Sequence, residues 1–229
     1  MKNLIHKRQN IFYRDEARQS QFVDDILSIN SKTRILDLGH FRGNQLEIIQ
    51  QKTKFAYGYD KQDICTLPNT TNNFDIFTDQ WTLDNLDCVY CFAPEFGGDW
   101  CRFDILVTKI NTSLRSGGIF ILDHFNFNSF PIGKNWKDYK VADSFVSLSH
   151  YTRNQTDMTC KRVNILKDWT KEDMSIVWRV FSQPEILEIM THAGFELLNF
   201  YIDFDINQPI SDWGQIPSGK RLVSAWTKK

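Results

Sequence analysis

The sequence predicts an α/β fold built on a doubly wound, seven-stranded sheet that is mostly parallel. Three observations lead to this prediction. Apolar runs typical of strands alternate with helical patterns as far as residue 123. Residues 34–44 have the order of a strand, a glycine turn and the start of a helix. The last two apolar runs follow each other without a helix between them, which predicts an antiparallel C-terminal hairpin at the sheet edge.

Each predicted element rests on its own pattern. Short apolar runs bounded by polar or turn residues predict strands at 35–38, 56–60, 74–78, 86–92, 119–123, 195–205 and 222–227. Apolar residues at helical spacing predict helices at 9–30, 43–51, 99–115 and 182–194. Gly117 and Gly118 predict the end of the third helix, and Ser182 with Glu185 forms a capping box that opens the fourth.

Residues 142–180 interrupt the alternation of strands and helices. Three extended segments lie here, around Phe145–Tyr151, Val163–Leu166 and Ile176–Trp178, and polar turns separate them. We therefore expect a small antiparallel insertion within one domain that spans residues 1–229.

The composition excludes several classes of partner. The chain has 229 residues, a net charge of −1 and no basic stretch, which argues against nucleic acid. The N-terminus lacks the apolar core of a signal peptide, and no apolar run reaches membrane-spanning length. We expect a cytoplasmic protein with no membrane partner.

The chain has five cysteines, an odd number that favours free thiols. Cys88 and Cys91 have the C-x-x-C spacing of a zinc or redox site. They lie in a predicted strand, however, where residues three apart point to opposite faces. We therefore predict no metal site.

The glycine turn after the first strand predicts a nucleotide-like ligand. Asp37 is followed by Gly39 and Gly43, and the second strand ends in Asp60, where doubly wound folds hold a ribose. The dinucleotide fingerprint requires three glycines as G-x-G-x-x-G, so the segment fits NAD poorly.

The segment from Asp37 to Gly43 instead resembles motif I of the class I S-adenosylmethionine-dependent methyltransferases, with Phe41 in place of the middle glycine. The resemblance continues along residues 10–228 in the family's order. Its further segments are 58–60 (motif II), 86–89 (FD-x-V), 114–120 (L-K-P-G-G), 121–126 (strand 5), 179–182 with 193–195, and the hairpin at 201–205 and 221–228. This resemblance implies a Rossmann-like fold.

The resemblance also implies which residues hold the cofactor, S-adenosylmethionine, which becomes S-adenosylhomocysteine. Asp60 would take the ribose hydroxyls, and Asp79 falls where the family places an acid near the adenine amino group. The implied cofactor-binding residues are Asp37, Gly39, His40, Gly43, Asp60, Lys61, Asp79, Gln80 and Phe92. Structural alternatives stay open, with Asp37 as a brace of the glycine loop and Asp60 as a solvated strand end.

Three residues are candidates for catalysis. His124 follows the fifth predicted strand, and histidine titrates near neutral pH, so it is the first candidate for a general base. Tyr13 lies in the predicted N-terminal helix of residues 10–30, and the resemblance to relatives with an aromatic residue there implies that it is part of a lid. Glu95 lies in a loop where it would receive a substrate amine. The alternatives are a structural histidine bonded to a carboxylate such as Asp123, and an exposed loop acid.

Two further residues are candidates for substrate binding. Asn126 follows the fifth strand, and Arg179 ends the insertion, which we expect to lie over the active site. Arg179 would bind a substrate carboxylate or, alternatively, pair with an acid of the fold.

The functional hypothesis is methyl transfer to a small-molecule acceptor by in-line displacement. Phe41 motivates an alternative, a methyltransferase-fold protein that binds or regulates and has weak or no activity. A methyltransferase acting on RNA or protein is disfavoured by the charge. Either a monomer or a homodimer is compatible with the sequence.

Overall fold

The computed structural model describes residues 15–92, 102–124, 126–141, 145–217 and 220–229. These residues form two compact units. The first contains the described residues of 1–94, 104–126 and 183–229, and the second contains those of 95–103 and 127–182.

The first unit is an α/β unit whose elements are numbered along the chain. Its helices are α1 (Glu16–Leu27), α2 (Asn44–Gln50), α3 (Phe103–Ser113) and α4 (Gln183–His192). Its strands are β1 (Ile35–Leu38), β2 (Ala56–Tyr59), β3 (Thr70–Thr71), β4 (Leu86–Cys91), β5 (Leu114–His124), β10 (Phe195–Ile202), β11 (Pro209–Ile210) and β12 (Leu222–Lys228).

The eight strands form one sheet in the order β11-β10-β12-β5-β4-β1-β2-β3. Strands β1 to β5 are parallel, and β12 pairs antiparallel with both β5 and β10. The predicted fold class is therefore confirmed, including the antiparallel C-terminal hairpin, but the sheet has eight strands instead of seven because the two-residue strand β11 pairs with β10. Phe22 and Val23 of α1 and Leu46 and Ile49 of α2 belong to a buried cluster with residues of the central strands.

The third strand is not at 74–78, as the sequence predicted, but at Thr70–Thr71. Residues 74–78 form a turn because the side chains of Asp75 and Asp79 accept hydrogen bonds from backbone N–H groups of this segment. Asp75 accepts a hydrogen bond from the Phe77 N–H at 2.9 Å, and Asp79 accepts one from the Asp75 N–H at 2.8 Å. Such local bonds compete with strand pairing.

The fifth strand starts earlier than expected. The sequence predicted a helix to residue 115 and a stop at Gly117 and Gly118, but α3 ends at Ser113 and β5 begins at Leu114. The register against β4 shifts between Leu86 and Cys88, and Gly117 has a φ of 70° next to this irregularity. Glycine tolerates that left-handed backbone without a steric penalty.

The second unit is a four-stranded antiparallel sheet in the order β6-β7-β8-β9. Its strands are β6 (Asn135–Val141), β7 (Phe145–Arg153), β8 (Asp157–Leu166) and β9 (Lys171–Arg179). The antiparallel insertion thus has one strand more than the sequence predicted, because β6 begins before residue 142. Its polar and apolar residues alternate too weakly to predict a strand.

A buried ion pair joins the carboxyl end of β5 to the residue that precedes β12. Asp123 is fully buried, and the Arg221 side chain is 12% exposed. The guanidinium binds both carboxylate oxygens, with Nε 3.1 Å from Oδ1. This fork geometry satisfies a charge that would otherwise be costly to bury.

No helix in the described segments is long and apolar enough to cross a membrane.

Replacing Arg221 with Met should destabilise the protein strongly. The change leaves the buried Asp123 carboxylate without its partner, and such a loss costs about 3–5 kcal/mol. Urea unfolding followed by circular dichroism measures the change in the free energy of unfolding.

Lys220→Met is the matched control. Lys220 is the neighbouring residue, and its ammonium pairs with Asp203 at 2.6 Å while its side chain is 49% exposed. Exposed pairs contribute about 0–1 kcal/mol. Equal losses in the two variants would contradict the importance of the buried pair.

Candidate functional site

The loops that follow β1 and β2 are joined by the carboxylate of Asp60. Its Oδ2 accepts the N–H of Phe41 at 2.7 Å, and its Oδ1 accepts the N–H of Gln62 at 2.7 Å. The Gly39 N–H also donates to the Tyr59 carbonyl at 2.8 Å. The glycine loop of β1 is therefore held by the end of β2, at the sheet edge where α/β folds bind ligands.

The glycine loop has left-handed backbone at three alternate positions. Gly39, Phe41 and Gly43 have φ values of 77°, 53° and 81°. Phe41 thus adopts the conformation typical of glycine, although a Cβ atom makes it unfavourable by about 1–2 kcal/mol. The hydrogen bond from its N–H to Asp60 stabilises this conformation.

The two glycines of the loop serve different purposes. A Cβ on Gly39 would meet no atom within 4 Å, so the main chain is open to a ligand there. A Cβ on Gly43 would lie 2.6 Å from Leu67 Cδ1 and 2.7 Å from Cys65 Sγ, so this glycine is needed for packing. Open space next to backbone is the feature that glycine provides at ligand sites.

His40 is buried between these glycines. Its ring packs on Gly58, where a Cβ would lie 2.5 Å from the ring Cδ2. Neither ring nitrogen has a hydrogen-bond partner among the described residues. Burial lowers the pKa of His40 below its usual value, and the nearby Asp60 charge partly offsets this effect. His40 therefore brings polar atoms to the loop that the described residues leave unsatisfied.

Asp37 lies beneath the loop. Its buried carboxylate accepts a hydrogen bond from the Tyr90 hydroxyl at 2.8 Å. Burial raises the pKa of Tyr90 well above its usual value, and the Asp37 charge adds to this effect. The hydroxyl therefore stays protonated and donates the hydrogen bond. This contact fits the alternative in which Asp37 braces the loop from β1.

Phe92 packs into an aromatic cluster at the end of β4. Its ring centroid lies 4.9 Å from that of Tyr90 and 5.0 Å from that of Phe204. Phe92 is buried in this cluster.

Asp79, the acid predicted to lie near the adenine, is on the turn at 74–79. Asp79 is half-buried and caps that turn, while Gln80 and Lys61 are exposed. Lys109 of α3 holds the same turn, since its ammonium binds the carbonyls of Ile76, Phe77 and Asp79 at 3.2, 2.7 and 2.9 Å.

His124 lies at the carboxyl end of β5 in a buried position that disfavours a basic role. Its Nε2 is 2.6 Å from Ser224 Oγ, and its ring centroid is 5.0 Å from that of Trp213. Burial lowers the pKa of His124 to about 3. At neutral pH such an imidazole is uncharged and a weak base.

The amide of Asn126 is bound to a loop of its own unit. Its Nδ2 donates to the carbonyls of Pro217 and Lys220, both at 2.9 Å. Arg179 belongs to β9 of the second unit, where its guanidinium lies 5.3 Å from the Phe181 ring centroid. Tyr13 and Glu95 lie outside the described residues.

Solved structures provide the comparison. An S-adenosylmethionine-dependent methyltransferase from Clostridium acetobutylicum has a TM-score of 0.76 at 14% identity, over 94% of this chain and 92% of that one. This is the fold of S-adenosylmethionine-dependent methyltransferases. No family model matches the chain, and no curated protein sequence does so either.

Two more methyltransferases of known structure share this fold. The CcbJ methyltransferase from Streptomyces caelestis has a TM-score of 0.70 at 12% identity, over 94% of this chain and 93% of that one. CalS10 from Micromonospora echinaspora, an amino pentose methyltransferase solved with S-adenosylmethionine bound, has a TM-score of 0.67 at 16% identity, over 96% and 94%.

Within the methyltransferase fold, the structure brings some of the predicted residues together. The loop of Gly39, His40 and Gly43 meets Asp60 through the Phe41 N–H. The sequence did not predict that Ser224 contacts His124 or that Lys109 binds the turn at 74–79. Lys109 borders the apolar stripe of α3, and that position is a weak signal for a buried amine.

At position 41, glycine should be more stabilising than alanine, the reverse of the usual order. Phe41→Ala and Phe41→Gly both remove the ring, but alanine keeps the Cβ that disfavours a φ of 53°. We expect the Gly variant to be more stable by about 1 kcal/mol in urea unfolding.

The same pair of substitutions at the exposed neighbour Arg42 is the control, because its φ is not positive. There the Ala variant should be more stable by about 0.4–1 kcal/mol. An Ala preference at both positions would contradict the left-handed conformation of Phe41.

The free energy of unfolding should fall as the pH drops from 6.5 to about 5. The pKa of folded His124 lies far below the 6.5 expected for the unfolded chain, so the unfolded chain binds more protons in this window. His40 acts in the same direction. His124→Asn should reduce the slope by as much as about 1.4 kcal/mol per pH unit.

A His124→Asn variant with the full slope would show that His124 is not buried in its neutral form.

Proposed function

We propose that this chain transfers the methyl group of S-adenosylmethionine to a small-molecule acceptor. The observation that carries the proposal is the pair of loops joined by Asp60, with open space above Gly39. The similarity of the whole fold to methyltransferases such as CalS10 supports it.

The residues of these loops fit the cofactor chemically. Each Asp60 oxygen accepts one backbone N–H, and a carboxylate oxygen has a second lone pair for a ribose hydroxyl. The open backbone at Gly39 would pass the methionine part, and the buried His40 would hold the same loop in place. Lys61, Asp79, Gln80 and Phe92 are proposed for the remaining cofactor contacts.

When bound, the cofactor supplies an electrophilic methyl group on a sulfonium with a neutral leaving group. The protein therefore has mainly to align the acceptor with that carbon and exclude water. A general base is needed only if the acceptor arrives protonated. With its low pKa, His124 is better suited to hold the end of β5 in place than to remove a proton. Tyr13 and Glu95 stay the candidates for a role at the acceptor, and Arg179 and Asn126 for substrate binding.

Small polar metabolites with an amine or hydroxyl group are the acceptors we propose. CalS10 methylates an amino pentose by its name, and KedS8 from Streptoalloteichus is named a sugar N-methyltransferase. Amino sugars are therefore the first compounds to test. The net charge of −1 supports this class over RNA.

A second candidate is a protein of this fold that binds a ligand without catalysis. Phe41 favours it, because its side chain occupies the loop position where the family motif has glycine.

Calorimetry with S-adenosylmethionine tests the function and the role of Asp60. We expect a Kd in the micromolar range, which corresponds to a binding free energy of about −8 kcal/mol. Asp60→Ala should weaken binding about 10- to 100-fold, because hydrogen bonds to a charged group contribute about 1.5–3 kcal/mol. Formation of S-adenosylhomocysteine with an amino-sugar panel then measures transfer.

Asp63→Ala is the matched control, since Asp63 is an exposed acid in the same loop. If folded protein gives no heat of binding at millimolar S-adenosylmethionine, the proposed methyltransferase function is refuted. Binding without turnover would favour the second candidate, and unchanged affinity in Asp60→Ala would refute the ribose contact.

A further inference from the structure

Exposed apolar side chains are concentrated on one face of the four-stranded sheet of the second unit. Val141 is 68% exposed, Tyr139 is 51% exposed and Leu148 is 46% exposed. Val146, Val163 and Ile165 are half-buried. These six residues are named the apolar face.

The strand register places the six residues side by side. Val146 pairs with Val141 on one side and with Ile165 on the other, which makes one row across three strands. Leu148 pairs in the same way with Tyr139 and Val163, which makes a second row. Paired residues point to the same side of a sheet, and residues two apart along a strand share that side.

The opposite side of the sheet is buried around Tyr151 and Trp178, while Met174 on that side is 45% exposed. Tyr151, Met158, Cys160 and Trp178 have the alternate parity and are almost inaccessible to solvent. A sheet with one buried side normally presents polar residues on the other. A contiguous exposed apolar patch on a folded protein is typical of an interaction surface.

Each apolar row continues into a charge on β9, and the two charges have opposite signs. Ile165 pairs with Lys171, and Val163 pairs with Asp173. Both residues are exposed. The face therefore carries a cation at the end of one row and an anion at the end of the next.

We propose that a second copy of this chain covers the apolar face in a two-fold symmetric dimer. The two-fold axis lies in the plane of the interface, perpendicular to the strands and midway between the two rows. It places each row of one copy over the other row of its partner. Val141 then lies over the partner's Tyr139, and Lys171 lies over the partner's Asp173. The charges at the β9 edge of such a patch are self-complementary, as a closed dimer requires.

The overlap of the two copies is small, as in a weak and reversible dimer. The axis between the rows lies near the strand ends at Val141, Leu166 and Lys171, so the copies overlap over about four residues of four strands, roughly 260 Å² each. Together they would bury about 500 Å², a size found in weak and transient contacts. At the rim, Lys161 lies near the partner's Lys167, and water and salt screen this pair of like charges.

Molar mass measured by light scattering over a dilution series tests the dimer. The wild type should approach twice the chain mass of 27.0 kDa at high concentration and fall to one chain mass on dilution. Leu148→Glu introduces a charge at the centre of the face and should leave a monomer at concentrations where the wild type is dimeric.

Leu198→Glu is the matched control. Leu198 is 47% exposed, close to the 46% of Leu148, but it lies on β10 of the first unit. This variant should retain the wild-type dimer. Far-UV circular dichroism and the Tm of both variants verify that they fold, since neither residue is buried.

A charge exchange tests the symmetry. Lys171→Asp should raise the dimer Kd about tenfold, because each aspartate then faces the partner's Asp173. Adding Asp173→Lys restores opposite charges and should return the Kd to within about threefold of the wild type.

Three results would overturn the proposal. One is a wild type that stays monomeric up to its solubility limit. Another is a dimer that Leu148→Glu leaves intact. The third is a monomer that binds anionic phosphatidylserine vesicles through Leu148, which would identify a lipid surface as the occupant.

Discussion

The carboxylate of Asp60 is the contact on which the organisation of the candidate site depends. It binds the glycine loop after β1 through Phe41 and its own loop through Gln62. The Asp60 backbone meanwhile donates to the Thr71 carbonyl and accepts from the Phe74 N–H. One residue thus joins the ends of the first three strands. A buried carboxylate with several backbone donors is strongly bound, because each bond involves a charge.

The polar residues at the end of β5 are used to hold the C-terminal hairpin. Asp123 binds Arg221, His124 contacts Ser224, and Asn126 binds two carbonyls of the loop before β12. These three residues are consecutive but for one position, and the contacts named here are within the first unit. A methyl donor that carries its own leaving group needs alignment more than acid–base chemistry, so a rigid end of β5 suits the proposed function.

The structural elements that were well predicted are those whose signal is local. The turn after β1, the strand that ends before Asp60 and the antiparallel partner of β5 follow from turn chemistry and from the order of apolar runs. The strand expected at 74–78 failed because Asp75 and Asp79 bind the backbone that would have paired. The strand β6 was missed because Asn135–Val141 has mixed polarity and gains its order from pairing with β7.

The sequence by itself determined the α/β order of elements and the position of the loops that meet at the sheet edge. It did so because periodicity, glycine and acidic strand ends act over a few residues. Only the tertiary structure decided that Phe41 takes a glycine-like backbone, that His124 is a poor base, and that the alternate residues of β6 to β8 expose an apolar face. Backbone strain, desolvation and exposure arise from neighbours that are distant in the chain, so no local pattern encodes them.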